Sequence, residues 1–396
     1  MDSFIKVVLK KGKEQSIQRQ HPWVFSGAIH GMTDFPKNGE VVEVVDMQDR
    51  CLGYGHYSEG SISVRIFSFE KTFENGKAFW KNKIQQAFNV RKSLGLVDNG
   101  STNIYRLIHA EGDGLPGLIV DIYGSTAVIQ SHSSGMHQLR DFIKDAILEV
   151  YDGKITTVYD KSAEKLNKNA GEASADSYLH GSNTDNIGLE HDCKFYIDWE
   201  EGQKTGFFID QRENRRLLGE LSHGKKVLNT FCYTGGFSVY ALRAGATVVH
   251  SLDSSQKALD LTLKNVELNG FGDSNHKVIK ADAVDYMKNL EEDYDIIVLD
   301  PPAFAKHLSA RHKAVQGYKR INEAAISQIK PGGIIFTFSC SQAVDKQLFT
   351  NTVIASAISA GRRVRILYQL HQPADHPISA FHPEGEYLKG LVLMVE

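Results

Sequence analysis

Cysteine is scarce in this chain: four among 396 residues, at positions 51, 193, 232 and 340, with no C-x-x-C pair. That spacing excludes a disulfide framework and a cysteine zinc site, and it fits a reducing cytoplasm. Long apolar runs are missing too, and none approaches the ~20 residues of a membrane span. The N-terminus, MDSFIKVVLKKGK, lacks the apolar core and small-residue cleavage site of a signal peptide. A large charge of either sign is also absent. The net charge of −3 gives no whole-protein attraction for nucleic acid, so any RNA contact has to come from local basic surface. These absences lead to an expectation of a cytoplasmic protein with no membrane partner and no metal. The length leaves room for two or three domains, and 41% hydrophobic with 23% charged residues suits globular folding.

What is present is organised around Val227 to Ala246, VLNTFCYTGGFSVYALRAGA. Val227-Leu228 reads as a buried strand and Asn229 to Gly236 as a loop. Phe237 to Ala244 reads as a helix, with Phe237, Tyr240 and Ala241 at helical spacing. Strand, glycine loop and helix open a nucleotide-binding α/β sheet: glycine lets backbone approach a ligand, and the helix start offers free N–H groups. This loop follows neither the G-x-G-x-x-G fingerprint nor the G-x-x-x-x-G-K-[ST] phosphate loop. It suits a ligand with a ribose and a carboxylate but no pyrophosphate, and S-adenosylmethionine is such a ligand. The other reading, an ordinary strand–helix turn, weakens as the pattern repeats. Val248 to Asp253 is a second strand ending in an acid, with Ser254 next, where ribose hydroxyls are met. Gln256 to Asn269 is a helix stopped by Gly270. Lys277 to Lys280 is a third strand, with Ala281-Asp282-Ala283 at its end to read an adenine amino group. Tyr294 to Leu299 delivers Asp300-Pro301-Pro302-Ala303-Phe304, and Gly333 to Ser339 delivers Ser339-Cys340-Ser341. Any one acid suits a helix cap, but polar residues at successive strand C-terminal ends mark the ligand edge of an open α/β sheet.

Upstream, residues 1–71 read as a small β domain, with strands at Ile5 to Leu9, Val41 to Val45 and Ser61 to Phe67 punctuated by glycine. Lys10, Lys11, Lys13, Arg19 and His21 precede Pro22-Trp23-Val24-Phe25. Cations beside aromatics suit RNA, charge for phosphate and rings for stacking; equally, Trp23 and Phe25 are core and the lysines a solvated face. Residues 72–199 read as a connecting helix and a central α+β domain, with a turn at Glu111 to Gly117 between strands. The polar stretch 161–186 reads as a surface loop, and Lys194 to Trp199 as part of a hairpin. Residues 200–396 hold the α/β sheet. Just before it, Glu201 to Arg212 is polar and glycine-rich: either a lid over a ligand, carrying Thr205, Phe208, Asp210 and Arg212, or a linker in which Asp210 caps a helix.

Two stretches carry the chemistry. In Asp300 to Phe304 the prolines fix a rigid loop after a buried strand. An acid held there hydrogen-bonds a base edge, and Phe304 stacks on a flipped-out base. Cys340 is the candidate nucleophile, because a thiolate adds to C6 of a pyrimidine and makes C5 able to take a methyl group from a sulfonium donor. The alternative for Cys340 is a small buried hydrophobe. Cys232 is a rival that would face the cofactor, and Cys51 and Cys193 have no supporting context. Lys306, His307, Arg311, His312, Lys313 and Lys319 follow the proline loop and suit phosphate contact or a solvated helix face. His376 and His382 lie in a loop before the last strand, Tyr387 to Val395, as pocket lining or plain loop residues.

KKGK, RQHPWVFSGAI, GLPGLIVDIYG, EGQKTGFFIDQRENR, VLNTFCYTGGFSVYALRAGA, LDPPAFAK and FSCS together resemble the large-subunit 23S rRNA methyltransferase I family. The resemblance runs over nearly the whole chain apart from the polar stretch near 161–186. It implies an N-terminal PUA-type RNA-binding domain, a central α/β domain and a C-terminal Rossmann-like class I methyltransferase domain. It also implies S-adenosylmethionine as donor, 23S rRNA or a large-subunit assembly particle as partner, and 5-methylcytosine as product. The cofactor residues it implies are Thr205, Phe208, Asp210, Arg212, Phe231, Tyr233, Thr234, Gly235, Asp253, Ser254, Asp282, Ala283 and Asp300. The catalytic pair is Cys340 with Asp300; RNA is met by Pro301, Pro302, Phe304, Lys10, Lys11 and Trp23. A homodimer stays open. The Pro301-Pro302 loop also resembles the Asp-Pro-Pro-Phe/Tyr loop of enzymes that methylate exocyclic amines, so a methyltransferase for a base amine or guanine nitrogen is the alternative. A non-catalytic RNA-binding assembly factor is the alternative of another class.

Overall fold

A computed structural model describes residues 4–169, 175–182, 186–290, 293–305 and 307–396. The chain divides into two compact units. The first is residues 1–188, 197–207 and 374–385; the second is 189–196, 208–373 and 386–396.

The first unit holds two sheets. In the six-stranded sheet, Ile5–Leu9 lies parallel to Val41–Val45, and the other pairs are antiparallel. Its inward side chains, Val7, Leu9, Val24, Val42, Val44 and Val64, form one core. Cys51–Tyr57 is a strand that the glycines at 53 and 55 hid from the sequence reading. Glycine is needed inside it: a Cβ on Gly55 would sit 2.5 Å from the Arg65 carbonyl oxygen across the ladder. In the five-stranded sheet, Ile104–His109, Leu118–Tyr123, Thr126–Ser131, Thr157–Asp160 and Ser177–His180 follow in order, with helices Lys77–Ser93 and Arg140–Val150 beside it. Trp80, Leu107, Val120, Ile129 and Ile147 are buried between them.

The expected loop at 161–186 is corrected here. Helix Ala163–Asn169 and strand Ser177–His180 occupy most of its described part; residues 170–174 and 183–185, like Lys306, lie outside the described residues. Ser177–His180 is an edge strand with exposed ends, so it needs few apolar residues to pair. The hairpin is also shifted: its strands are Ile187–Glu190 and Cys193–Tyr196, ending before Ile197.

The segment 374–385 belongs to this first unit although it follows most of the second. The buried Arg91 donates to the Asp375 carbonyl at 2.7 Å, and the Arg106 N–H donates to the Asp375 carboxylate at 2.9 Å.

The second unit is a three-layer α/β domain. Its strands are β1 Lys226–Thr230, β2 Val248–Asp253, β3 His276–Lys280, β4 Ile296–Leu299, β5 Ile334–Ser339, β6 Val364–Leu370 and β7 Lys389–Val395. They lie in the order β3-β2-β1-β4-β5-β7-β6, all parallel except β7, which runs against β5 and β6. Central strands IIVL and IIFTFS are near-continuous apolar runs because both sheet faces are covered. The helices are α1 Arg212–Leu221, α2 Gly236–Arg243, α3 Gln256–Leu268, α4 Ala283–Tyr286, α5 Arg311–Gln328 and α6 Lys346–Ser359. Asn229 and Thr230, expected in the loop, are the last residues of β1. Their polarity is absorbed inside, where Asn229 donates to Ser238 at 2.9 Å and Thr230 to the Val298 carbonyl at 2.6 Å. Strand β6 at the sheet edge had no counterpart in the sequence reading; its residues are mostly exposed and alternate poorly.

Candidate active site

The parallel strands of the second unit end along one edge. The first half of that edge is built around the turn from β1 to α2. Phe231, Tyr233 and Gly235 all have positive φ, at 54°, 47° and 75°. For phenylalanine and tyrosine this left-handed backbone costs energy and persists only when surroundings impose it. Helix α3 supplies the imposition: Thr262 donates to the Tyr233 carbonyl at 2.9 Å and Asn265 to the Thr234 carbonyl at 2.8 Å. Gly235 has no room for a side chain, since a Cβ would meet the Thr262 methyl at 2.7 Å. At the end of β2, Asp253 accepts the Tyr233 N–H at 3.1 Å through one oxygen and the Ser255 N–H at 2.9 Å through the other. Its carboxylate is thereby oriented at the strand end, with exposed Ser254 beside it. Asp282, exposed after β3, caps α4 by accepting the Val284 and Asp285 N–H groups through Oδ1, and Ala283 is buried behind it.

The stretch before α1 meets this turn. The Phe208 ring stands edge-on to Tyr233, centroids 5.1 Å apart. Its carbonyl accepts from Arg215 at 2.9 Å, and Arg215 is clamped by Glu190 through two bonds of 2.8 and 2.7 Å. Asp210 is buried and accepts the Tyr387 hydroxyl at 2.7 Å. Arg212 is buried next to Glu213 at 3.2 Å. Thr205 falls in the first unit instead, where its buried hydroxyl donates to Asp121 at 2.6 Å and bonds Tyr123 at 2.9 Å.

The second half of the edge belongs to β4, β5 and β7. Asp300 follows β4 and accepts Gln211 Nε2 at 3.0 Å; Gln211 in turn accepts from Asn214 at 2.6 Å. Pro301 is buried and Pro302 exposed, and Phe304 lies against Tyr318 with centroids 4.7 Å apart. Cys340 follows β5 and is half-buried. Its neighbour Ser341 donates to the Ala305 carbonyl at 2.6 Å, which ties the cysteine turn to the proline loop. Lys389, at the start of β7, donates to the Ser341 carbonyl at 2.7 Å. Burial pushes the thiols of Cys232 and Cys193 up to about 12, and it also raises Cys51. Those three cysteines are thus poor nucleophiles at neutral pH.

Lys10 and Lys11 are exposed in the first unit. Trp23 is half-buried: its Nε1–H donates to Glu111 at 2.8 Å and its ring lies 4.3 Å from that of His382. His21, His382 and Glu384 converge beside it. However, His21 Nδ1 accepts the Trp23 N–H, which leaves the proton on Nε2, the atom facing Glu384 at 3.6 Å. In the second unit Arg311, His312 and Lys313 are exposed at the start of α5, with Arg311 paired to Asp345 at 2.9 Å. Gln211, Tyr387 and Lys389 were missed as site residues by sequence reasoning. Gln211 stands between two residues that were singled out, and only that adjacency marks it.

The strand order, the glycine turn and the acids at the ends of β2 and β3 define a class I methyltransferase. Residues 165–380 match the family of S-adenosylmethionine-dependent methyltransferases, and residues 7–69 match PUA-like domains. The Asp253 carboxylate, oriented at the end of β2 by the turn before α2, suits the ribose hydroxyls of that cofactor on physical grounds. The chain is 40% identical over 398 residues to the ribosomal RNA large subunit methyltransferase I of Shewanella denitrificans, covering 99% of each chain. It is 38% identical over 394 residues to the protein of that name from Aeromonas hydrophila, covering 98% of each. It shares its fold with a Streptococcus mutans protein assigned as a SAM-dependent methyltransferase, with a TM-score of 0.84, 23% identity and coverage of 98% and 99%. This chain belongs to the ribosomal RNA large subunit methyltransferase I family.

Proposed function

We propose that this protein methylates C5 of a cytosine in 23S rRNA, free or in a large-subunit assembly particle, by covalent catalysis through Cys340. One observation carries the reading: the half-buried Cys340 sits just past β5 in a turn bonded through Ser341 to the Asp300 loop. Phe304 offers a ring for the flipped base, and Asp300, oriented by Gln211, accepts from the exocyclic amine beside N3. The Cys340 thiolate then adds to C6 and makes C5 nucleophilic. S-adenosylmethionine supplies the methyl group as an electrophile. Water takes the C5 proton, the C5–H electron pair re-forms the C5–C6 double bond, and the Sγ–C6 pair returns to sulfur, which frees the cysteine. The first unit brings Lys10, Lys11 and the Trp23 face to the RNA backbone. The names of the relatives support the rRNA substrate.

The test uses rRNA from cells lacking the protein, labelled S-adenosylmethionine, and mass identification of the modified nucleoside. 5-Methylcytidine from wild type and none from Cys340→Ala supports the reading. A methylated amine, or an active Cys340→Ala, assigns the site to the amine-directed chemistry of Asp-Pro-Pro loops. No product and no donor binding leaves an RNA-binding assembly factor.

A further inference from the structure

Covalent addition needs a thiolate, and a free thiol ionises near pH 8.5 unless a cation assists it. Lys389 is the group placed to assist. In the β5–β7 register it pairs with Ser339, the residue before Cys340, while its Nζ donates at 2.7 Å to the carbonyl of Ser341, the residue after. The residue therefore meets both chain neighbours of the cysteine, Ser339 through its backbone register and Ser341 through its Nζ. Lys389 is only 4% exposed, and a buried ammonium is costly unless a negative charge faces it. Of the acidic groups acting on it, Cys340 acts most strongly, ahead of Glu386 before β7 and Asp345 at the start of α6. Asp345 already caps Leu348 and pairs with Arg311. From the neighbouring elements, Tyr318 on α5 faces the cysteine, with Asp300 after β4 acting on that hydroxyl in turn, and burial holds the Tyr318 hydroxyl neutral by pushing it up to about 12. Burial draws Lys389 down to about 8, close enough to a thiol for a proton to pass between them.

We infer that Lys389 is the counter-ion of Cys340, a positioning residue whose amine takes the Sγ proton and whose ammonium then holds the thiolate. The sulfur keeps its electron pair. On addition that pair becomes the Sγ–C6 bond; on elimination it returns to sulfur, and the ammonium again faces a thiolate. Lys389 gains its proton once and spends it in neither step. The use of this pair rests on the covalent reading above, but its existence does not.

The experiment follows alkylation of Cys340 by iodoacetamide from about pH 5 to about pH 10, read on the cysteine's own peptide by mass. Wild type, Lys389→Met and Lys389→Arg are compared, with donor affinity as the check that each is folded. The wild-type midpoint is expected below the ~8.5 of a free thiol. Lys389→Met should slow alkylation at neutral pH by about 10-fold or more, since the thiolate fraction falls about tenfold when the midpoint rises by about one pH unit. Lys389→Arg should keep most of the rate. An unshifted profile in Lys389→Met overturns the inference. So does a wild-type midpoint at the free-thiol value, a result available even if the variant does not fold. A shifted profile with a methylated amine as product keeps the pair and removes the C5 reading. An unshifted profile with 5-methylcytidine does the reverse.

Discussion

Two cysteines sit just past parallel strands of one sheet, and their surroundings differ in kind. Cys232 lies in the turn after β1, 5% exposed, with its sulfur 3.6 Å from the Thr262 hydroxyl. Cys340 lies after β5, half-buried, in a turn to which a lysine donates. Same residue type, same sheet and same edge thus give one inert thiol and one candidate nucleophile. What differs is whether a compensating charge is near, since burial alone always disfavours the thiolate. The two halves of the edge follow the same division. The first half spends backbone strain and carboxylates on shaping a turn, whereas the second fixes side chains on rigid loops.

The widest separation of the halves is expected from replacing each cysteine in turn. Cys340→Ala should lower methyl transfer by about 10⁴-fold or more, the scale of losing a covalent nucleophile. Cys232→Ala should stay within about 10-fold, its effect being the small cost of a lost buried sulfur. Equal losses from both, measured as initial rates with labelled donor, would erase the contrast.

Next in size is the support under the first half. Glu190→Ala leaves Arg215 buried without its carboxylate, which costs about 3–5 kcal/mol. A urea midpoint unchanged from wild type would show that the clamp is not holding Phe208. Below that, Asp253→Asn removes the charge that S-adenosylmethionine's ribose would meet. Donor affinity should weaken about 10- to 100-fold, as for a lost charged hydrogen bond of about 1.5–3 kcal/mol. Alkylation of Cys340 in the same variant should not change, and a parallel change would mean that the halves are coupled.

The smallest effect lies at the far edge of the sheet. Burial would raise the Asp295 carboxyl, but the Lys226 N–H and the Lys330 ammonium at 2.7 Å outweigh it and hold the group below its ordinary value. A depressed carboxyl stabilises the fold above its unfolded pKa and loses that contribution as pH falls through the folded one. Asp295→Asn should therefore cost about 1 kcal/mol at neutral pH. The deficit should close below about pH 4, with donor affinity untouched throughout. A deficit that persists in acid would assign the loss to packing.

Much of the second unit was readable because parallel strands carry their own signal: continuous apolar runs, each followed by a polar residue. Asp253, Asp282, Asp300 and Cys340 stood out by that position. Asn229 and Thr230 did not read as strand, because a buried polar residue looks like a loop until its tertiary partner is known. Lys389 lay inside the last strand as read, Tyr387 to Val395, with nothing to single it out. Its place beside Cys340 depends on antiparallel register with a strand some fifty residues earlier, which no local pattern encodes. Tyr387 reaches Asp210 across a still longer separation. The strand at Cys51–Tyr57 was hidden for the opposite reason, since its glycines serve close backbone approach rather than turning. Thr205 and Asp210 come from one contiguous motif, yet, five residues apart, they belong to different units.

The excursion of residues 374–385 bears on how the chain is made. The chain leaves the ribosome N-terminus first, so Asp375, which accepts from Arg91 through its carbonyl and from the Arg106 N–H through its carboxylate, is made only after most of the second unit. A cut at any unit boundary before residue 374 would separate the first unit from its own last piece, and a cut after residue 385 would take β7 from the second. The first unit therefore has its full sequence only once residue 385 has been made, when little more than β7 remains.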